Sequence, residues 1–328
     1  MRQAMDRNLA FELVRVTEAA ALSAAHWMGR GNREAADQAA VDAMRFALHS
    51  VDMDGVVVIG EGEKDEAPML YNGEKVGNGL QPKVDVAVDP IDGTTLLAKG
   101  LPNAISAVAI AERGALFDAT KTFYMDKIAV GPAARGVIDI NAPVAENLRR
   151  IAEAKRFRVE GLTVVVLDRE RHEELIREIR EAGARIMLIS HGDIAGGLMP
   201  AFEETGIDVL MGVGGAPEAV ITACALKCLG GEIQCKLWPH DDAERQRGEA
   251  AGFDFQRVLT TNDLVSGDDA FFAATGVTDG ELLRGVRYFS GGAKTTSLAM
   301  RAHSGTVRVV EATHNFDKLK RITSLPLS

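Results

Sequence analysis

The sequence predicts an α/β protein, with an α+β lobe over residues 1–160, an α/β lobe over 161–328 and one site shared between them. Three observations carry this reading. Two Ala-rich helical segments open the chain, at 8–28 and 34–50. From residue 161 onward, short β-branched runs alternate with helical stretches and Gly-rich turns, the pattern of a partly parallel sheet. Beyond residue 270 the chain returns to strand character.

Taken in order, residues 8–28 read as an amphipathic helix stopped by Gly29-Arg30-Gly31. Residues 34–50 read as a second, with Ala40, Val41, Met44 and Leu48 on one face. A strand at 56–59 runs into the acidic loop Gly60-Glu61-Gly62-Glu63-Lys64-Asp65-Glu66. Strands at 84–88, 104–112 and 127–131 complete a first half in which helices mix with antiparallel strands. The second half places strands at 162–167, 185–189 and 207–211, a charged helix at 173–182 and another helix at 219–229. Strands follow at 271–275, 286–290, 294–300 and 306–312. There is no internal repeat, low-complexity tract or long linker.

At 46% hydrophobic over 328 residues, the chain can bury a sizeable core. A formal net charge of −10 and the lack of a dense Lys/Arg run argue against nucleic-acid binding. An anionic ligand would then depend on bound metal or a few placed arginines. Residues 1–11 lack the apolar core of a signal peptide, and no stretch reaches membrane-spanning length, so a cytoplasmic location is expected. Cys224, Cys228 and Cys235 lack the spacing of a soft-metal site and read as structural thiols in a reducing compartment.

The most informative residues are Asp89-Pro90-Ile91-Asp92-Gly93-Thr94. Two carboxylates three apart, fixed by Pro and Gly at a strand end, form the hard oxygen set that suits Mg²⁺ or Mn²⁺. Pro90 is expected to end the strand, and Thr94 and Thr95 to cap a short helix. Alone, this is also an ordinary Asp/Pro/Gly turn. Other Gly-rich polar clusters share its position after a strand, where α/β sheets bind ligands: Gly60–Glu66, Ser190–Asp193 and Gly212–Glu218. In that company Glu61 suits a metal and Asp65 a base or water-positioning group, although a solvated acidic hairpin fits the same residues. Glu218 fits either a helix first turn or a metal. Arg169 and Arg171 fit either solvent or a second phosphate. Asp37, on an Ala-rich helix, reads as merely exposed. The dinucleotide pattern fails at Pro217, and Walker A and G-x-S-x-G are absent.

The combination Gly60-Glu61-Gly62-Glu63…Asp65-Glu66-Ala67-Pro68-Met69, Asp89-Pro90-Ile91-Asp92-Gly93-Thr94 and Gly214-Gly215-Ala216-Pro217-Glu218 resembles class II fructose-1,6-bisphosphatase, over residues 5–315. The middle element marks the wider lithium-sensitive sugar-phosphatase superfamily. The resemblance implies a layered αβαβα fold and metal-dependent release of the 1-phosphate of fructose 1,6-bisphosphate in gluconeogenesis. It implies one metal on Asp37 and Glu61 and another on Asp89, Asp92 and Glu218. It gives Thr94 the hydroxyl beside the attacking water, with Asp65 assisting. Arg33, Asp92, Gly93, Tyr124, Arg169, Arg171, His191, Gly192, Asp193 and Gly215 match substrate-side positions. A homo-oligomer, dimer or tetramer, is usual for the family. Two departures bear on selectivity: Arg169 stands where Lys is common, and His191 stands where Asp is expected. Sedoheptulose 1,7-bisphosphate is therefore a second candidate substrate. An inositol-phosphate phosphatase or a non-catalytic sugar-phosphate sensor are the remaining alternatives.

Overall fold

Fourteen strands and ten α-helices alternate in five layers, in a computed structural model that describes residues 9–61, 70–119, 124–250 and 252–319. The strands are β1 (Asp54–Ile59), β2 (Lys75–Val76), β3 (Lys83–Asp92), β4 (Ile105–Glu112), β5 (Tyr124–Val130), β6 (Thr163–Leu167) and β7 (Arg185–Ile189). They continue with β8 (Val209–Gly215), β9 (Glu232–Leu237), β10 (Leu259–Thr260), β11 (Ala270–Gly276), β12 (Arg287–Phe289), β13 (Gly292–Arg301) and β14 (Thr306–Asn315). The helices are α1 (Ala10–Ala25), α2 (Arg33–Leu48), α3 (Thr94–Lys99), α4 (Val144–Lys155), α5 (Glu173–Glu181), α6 (Asp193–Leu198), α7 (Ala216–Leu229), α8 (Asp242–Ala250), α9 (Thr261–Leu264) and α10 (Phe316–Leu319).

An eight-stranded sheet runs β12-β13-β11-β4-β3-β1-β2, with β14 also paired to β13. A six-stranded sheet runs β10-β9-β5-β8-β6-β7. Both mix parallel pairs (β1 with β3, β6 with β7 and β8) with antiparallel ones. The sheets do not follow the division at residue 160: β5 belongs to the second sheet, and β11–β14 carry the chain back into the first.

Period-2 burial builds the layers. On β3, Val86 and Val88 pack with α1 and α2, whereas Ala87 faces a middle layer built on α7. On β6, Val165 joins that middle layer while Val164 and Val166 pack against α4 and α5. The order is therefore helix, sheet, helix, sheet, helix, as the resemblance implied. Because α7 lies between two sheets it is apolar all round, and Cys224, Cys228 and the nearby Cys235 are free, buried thiols. Burial pushes the Cys235 thiol up to about 12, which keeps it inert.

Several strands run further than the sequence suggested, and two of these extensions build the site. β3 continues through Pro90 to Asp92, because a register shift between Asp89 and Asp92 lets the chain bulge where Pro has no N–H to give. β8 continues through Gly212–Gly215, because β5 supplies a full antiparallel ladder, from Tyr124↔Gly215 to Val130↔Val209. The sequence reading also lacked β2, β9, β10, α4, α8, α9 and α10, and gave no bounds to the helical stretch that is α6.

Candidate active site

The C-terminal ends of β1, β3, β6, β7 and β8 converge on a cleft of about 360 Å³, lined by fourteen of the candidate site residues singled out above together with Ile91, Thr95, Leu167 and Gly214. Its acidic end is built from Glu61 after β1, Asp89 and Asp92 in the β3 bulge, and Glu218 in the first turn of α7. Asp37, on α2, is half-buried rather than exposed. It accepts a 2.7 Å hydrogen bond from Thr94 Oγ1, which joins it to this group. Asp65 lies outside the described residues.

Gly93 takes a left-handed φ of 97° as the N-cap, so Thr94 is the first residue of α3 rather than its cap. That shift frees the hydroxyl to turn toward Asp37, with the Ile91 carbonyl at 3.3 Å. Asp92 is 5% exposed, and its Oδ2 accepts from the amides of Ile194 (3.1 Å) and Ala195 (3.2 Å) at the start of α6. A carboxylate of the first sheet is thereby fixed by a helix of the second. Gly215 has no room for a side chain, because a Cβ there would collide with Glu218 Oε2.

The cleft also carries a basic wall. Arg169 donates to the carbonyls of Ser190 (2.6 Å) and Asp168 (2.8 Å). Arg171 donates to Val213 O (2.9 Å), and its guanidinium carbon lies 5.3 Å from the centre of the Tyr124 ring. Arg33 and His191 complete this wall. Burial, reinforced by the charges of Arg169, Arg33 and Lys99, lowers the pKa of His191 and favours its neutral form. Gly192, at φ 87°, caps α6 and leads into Asp193.

The sequence reading missed Lys127. On β5 it is 3% exposed, and its Nζ donates to Asp193 Oδ2 at 2.6 Å. Burial opposes its charge, but Asp193 and Glu218 outweigh that and hold it protonated. The signal was present: Lys127 shares the inward parity of Met125 and Ala129 in an otherwise apolar register.

Among the described residues, no three His, Cys, Asp or Glu side chains already close on one point as a metal cage. The donor set nevertheless fits hard divalent cations. Glu218 Oε2 is buried without a hydrogen-bond partner, an atom a cation would satisfy. Burial, then the neighbouring carboxylates, raise the pKa of Asp89 and Asp92 well above normal and that of Glu218 above normal. The same causes, with Asp37 and Glu218 as neighbours, push Glu61 up to about 7.

A carboxyl whose proton affinity is higher in the folded state stabilises the fold below its unfolded pKa and loses that contribution as pH rises through the folded one. The metal-free protein is therefore expected to melt progressively lower as pH rises from 4.5 to about 7 through Glu61, with Asp89 and Asp92 extending the fall. Millimolar Mg²⁺ should abolish the trend, as read by thermal melts across pH. A metal-free melting temperature that climbs over this range would contradict the account.

Carboxylates facing a basic wall across so small a cleft suit a reaction that neutralises one phosphate while holding another, and the chain is a phosphoric monoester hydrolase. Residues 7–314 match the family described as bacterial fructose-1,6-bisphosphatase, glpX-encoded, and the chain belongs to that family. Its reaction is the hydrolysis of fructose 1,6-bisphosphate. It is 46% identical to the D-fructose 1,6-bisphosphatase class 2/sedoheptulose 1,7-bisphosphatase of Synechococcus sp. (strain JA-3-3Ab), over 95% of this chain and 97% of the relative. It is 44% identical to the protein of the same name from Thermosynechococcus vestitus (strain NIES-2133 / IAM M-273 / BP-1), over 96% and 98%. Among the described residues, no helix is long and apolar enough to cross a membrane.

Proposed function

We propose that the acidic end of the cleft holds two divalent cations, Mg²⁺ or Mn²⁺, on Asp37 and Glu61 and on Asp89, Asp92 and Glu218, against the phosphate that leaves. The observation that carries this reading is the orphaned, buried Glu218 Oε2 within a set of carboxylates that raise one another's proton affinity. When bound, such ions neutralise phosphate charge and acidify water. The side chains supply the geometry. Thr94 donates its hydroxyl hydrogen bond to Asp37, which leaves its oxygen lone pairs free to accept from the attacking water and aim it. Asp65 completes this role as a proton acceptor. Gly93 and Gly215 keep the floor bare, so that a phosphate can approach backbone.

Along the basic wall, Arg169, Arg171 and Arg33 neutralise the second phosphate, with Tyr124 bracing Arg171. His191, Gly192 and Asp193 lie along the sugar. Attack in line needs positioning and charge neutralisation, and no covalent phosphoenzyme.

Sedoheptulose 1,7-bisphosphate is the second substrate we infer. It is supported by the dual names of the relatives and by a neutral His191, which can donate to or accept from a sugar hydroxyl. Phosphate release from the two bisphosphates and inositol 1-phosphate tests this, with the wild type beside His191→Asp. Both bisphosphates should be hydrolysed and inositol 1-phosphate should be poor. His191→Asp should change the ratio of the two kcat/KM values by about 5- to 30-fold, the equivalent of one or two kcal/mol. An unchanged ratio would remove His191 from selectivity, and no release from the seven-carbon sugar would remove the second substrate.

A further inference from the structure

We propose that His172 is a positioning residue for substrate recognition: a neutral wedge between β6 and β8 that sets the place of Arg171 relative to the glycine floor of the cleft. The proposal rests on the reading of Arg171 as a contact to the second phosphate.

The observation is a break in the sheet. β6 and β8 pair in parallel only at Val164↔Val209 and Val165↔Leu210. Both strands run on, to Leu167 and to Gly215, without further pairing to each other. The His172 ring fills that opening. Its Nδ1 lies 2.7 Å from Leu167 O, and its Nε2 lies 2.8 Å from the Val213 amide nitrogen. A carbonyl can only accept and an amide N–H can only donate. The proton is therefore on Nδ1, the lone pair on Nε2, and the ring is neutral. The imidazole replaces the ladder bonds that the parting strands give up, and at 2% exposure it has no water to exchange with.

Two further contacts make this more than a satisfied core histidine. Gly212 runs against the ring at φ 118°, and a Cβ there would come within 3.0 Å of Nε2 and 3.2 Å of Cε1, so the floor strand rests directly on the imidazole. Val213 is also gripped twice: His172 takes its amide, and Arg171 Nη2 donates to its carbonyl at 2.9 Å. The next two residues, Gly214 and Gly215, leave room for the carboxylates of Asp193 and Glu218. One residue of β8 thus couples the basic wall to the acidic end, and His172 holds it. Without the wedge, Val213 loses its brace and Arg171 its anchor, while the bonds made by Asp92 and Thr94 are untouched.

The test uses the full-length enzyme with saturating Mg²⁺ and two substrates. One is fructose 1,6-bisphosphate; the other is p-nitrophenyl phosphate, which has no second phosphate for Arg171. His172→Leu fills the volume but cannot bridge, and should raise KM for the bisphosphate by about tenfold or more, as loss of one hydrogen bond to a charged group predicts. Its kcat, its p-nitrophenyl phosphate turnover and its stabilisation by Mg²⁺ should stay within about threefold of wild type. His172→Gln can donate and accept at once, and should recover most of the KM. Should His172→Leu fail to fold, His172→Asn, too short to reach both partners, carries the same expectation.

A wild-type KM in His172→Leu overturns the proposal. So does an equal loss on both substrates, which would mark a purely structural histidine. Arg171→Ala separates the premise from the proposal. If it leaves bisphosphate KM unchanged, the reading of Arg171 fails; if it raises KM while His172→Leu does not, only the wedge fails.

Discussion

Thr94→Ala is expected to lower kcat by about 100-fold or more, while KM for fructose 1,6-bisphosphate stays within about threefold. The asymmetry follows from where the hydroxyl sits. Thr94 Oγ1 is bonded to Asp37 at 2.7 Å, among the carboxylates, whereas the substrate contacts proposed for Arg169, Arg171 and His191 come from the basic wall. In the proposed mechanism, removing the hydroxyl leaves the wall assigned to the substrate and deletes the group assigned to aim the water. Thr94→Ser keeps the oxygen and should retain much of the rate. Because Gly93 sets the turn and Thr94 is already helical, alanine is tolerated by the backbone, and circular dichroism should be unchanged. A folded Thr94→Ala enzyme with undiminished kcat would remove Thr94 from the reaction.

Lys127→Met is expected to be the most damaging single change to stability, costing about 3–5 kcal/mol, as does removing one partner of a buried ion pair. Both partners are nearly inaccessible, Lys127 at 3% and Asp193 at 7%, so the orphaned carboxylate has little solvent to turn to. It would also face Asp92 and Glu218, the pKa values of which its charge already raises. The cost should therefore be relieved by a second change. Lys127→Met/Asp193→Asn removes the uncompensated charge and should unfold at higher urea than the single variant, although it lacks the native pair. A single variant as stable as wild type would show that the pair contributes nothing. A double variant less stable than the single would place the loss in packing rather than charge.

Much of the fold was legible because its signals are local. The Ala-rich pattern gave α1 and α2, a β-branched run gave β6, an apolar run gave β7, and Pro217 with Glu218 gave the start of α7. What failed was tertiary. Pro90 reads as a strand terminator until β4 is known to accept a bulge there, and Gly212–Gly215 reads as a turn until β5 lies beside it. The sheet memberships of β5 and β11–β14 depend on long-range pairing that no window contains.

The site divides in the same way. Glu61, Asp89, Asp92 and Glu218 stand next to glycine or proline at strand ends, so spacing exposes them. Asp37 sits in the middle of a helix and gains meaning only from Thr94, 57 residues away. His172 follows two arginines without a pattern of its own, and its bridge to Val213 spans 41 residues. Lys127 alone left a trace, a cation in an inward-facing strand position, and parity would have found it.

The measurement that most directly tests the central claim is phosphate release from fructose 1,6-bisphosphate by the purified protein, stripped with EDTA and then resupplied with Mg²⁺ or Mn²⁺. The carboxylate cluster predicts that release stops on chelation and returns with either ion, and that Glu218→Gln neither recovers nor gains melting temperature on adding it. Release that survives complete chelation, or a Glu218→Gln enzyme that responds to the ions as wild type does, would contradict it.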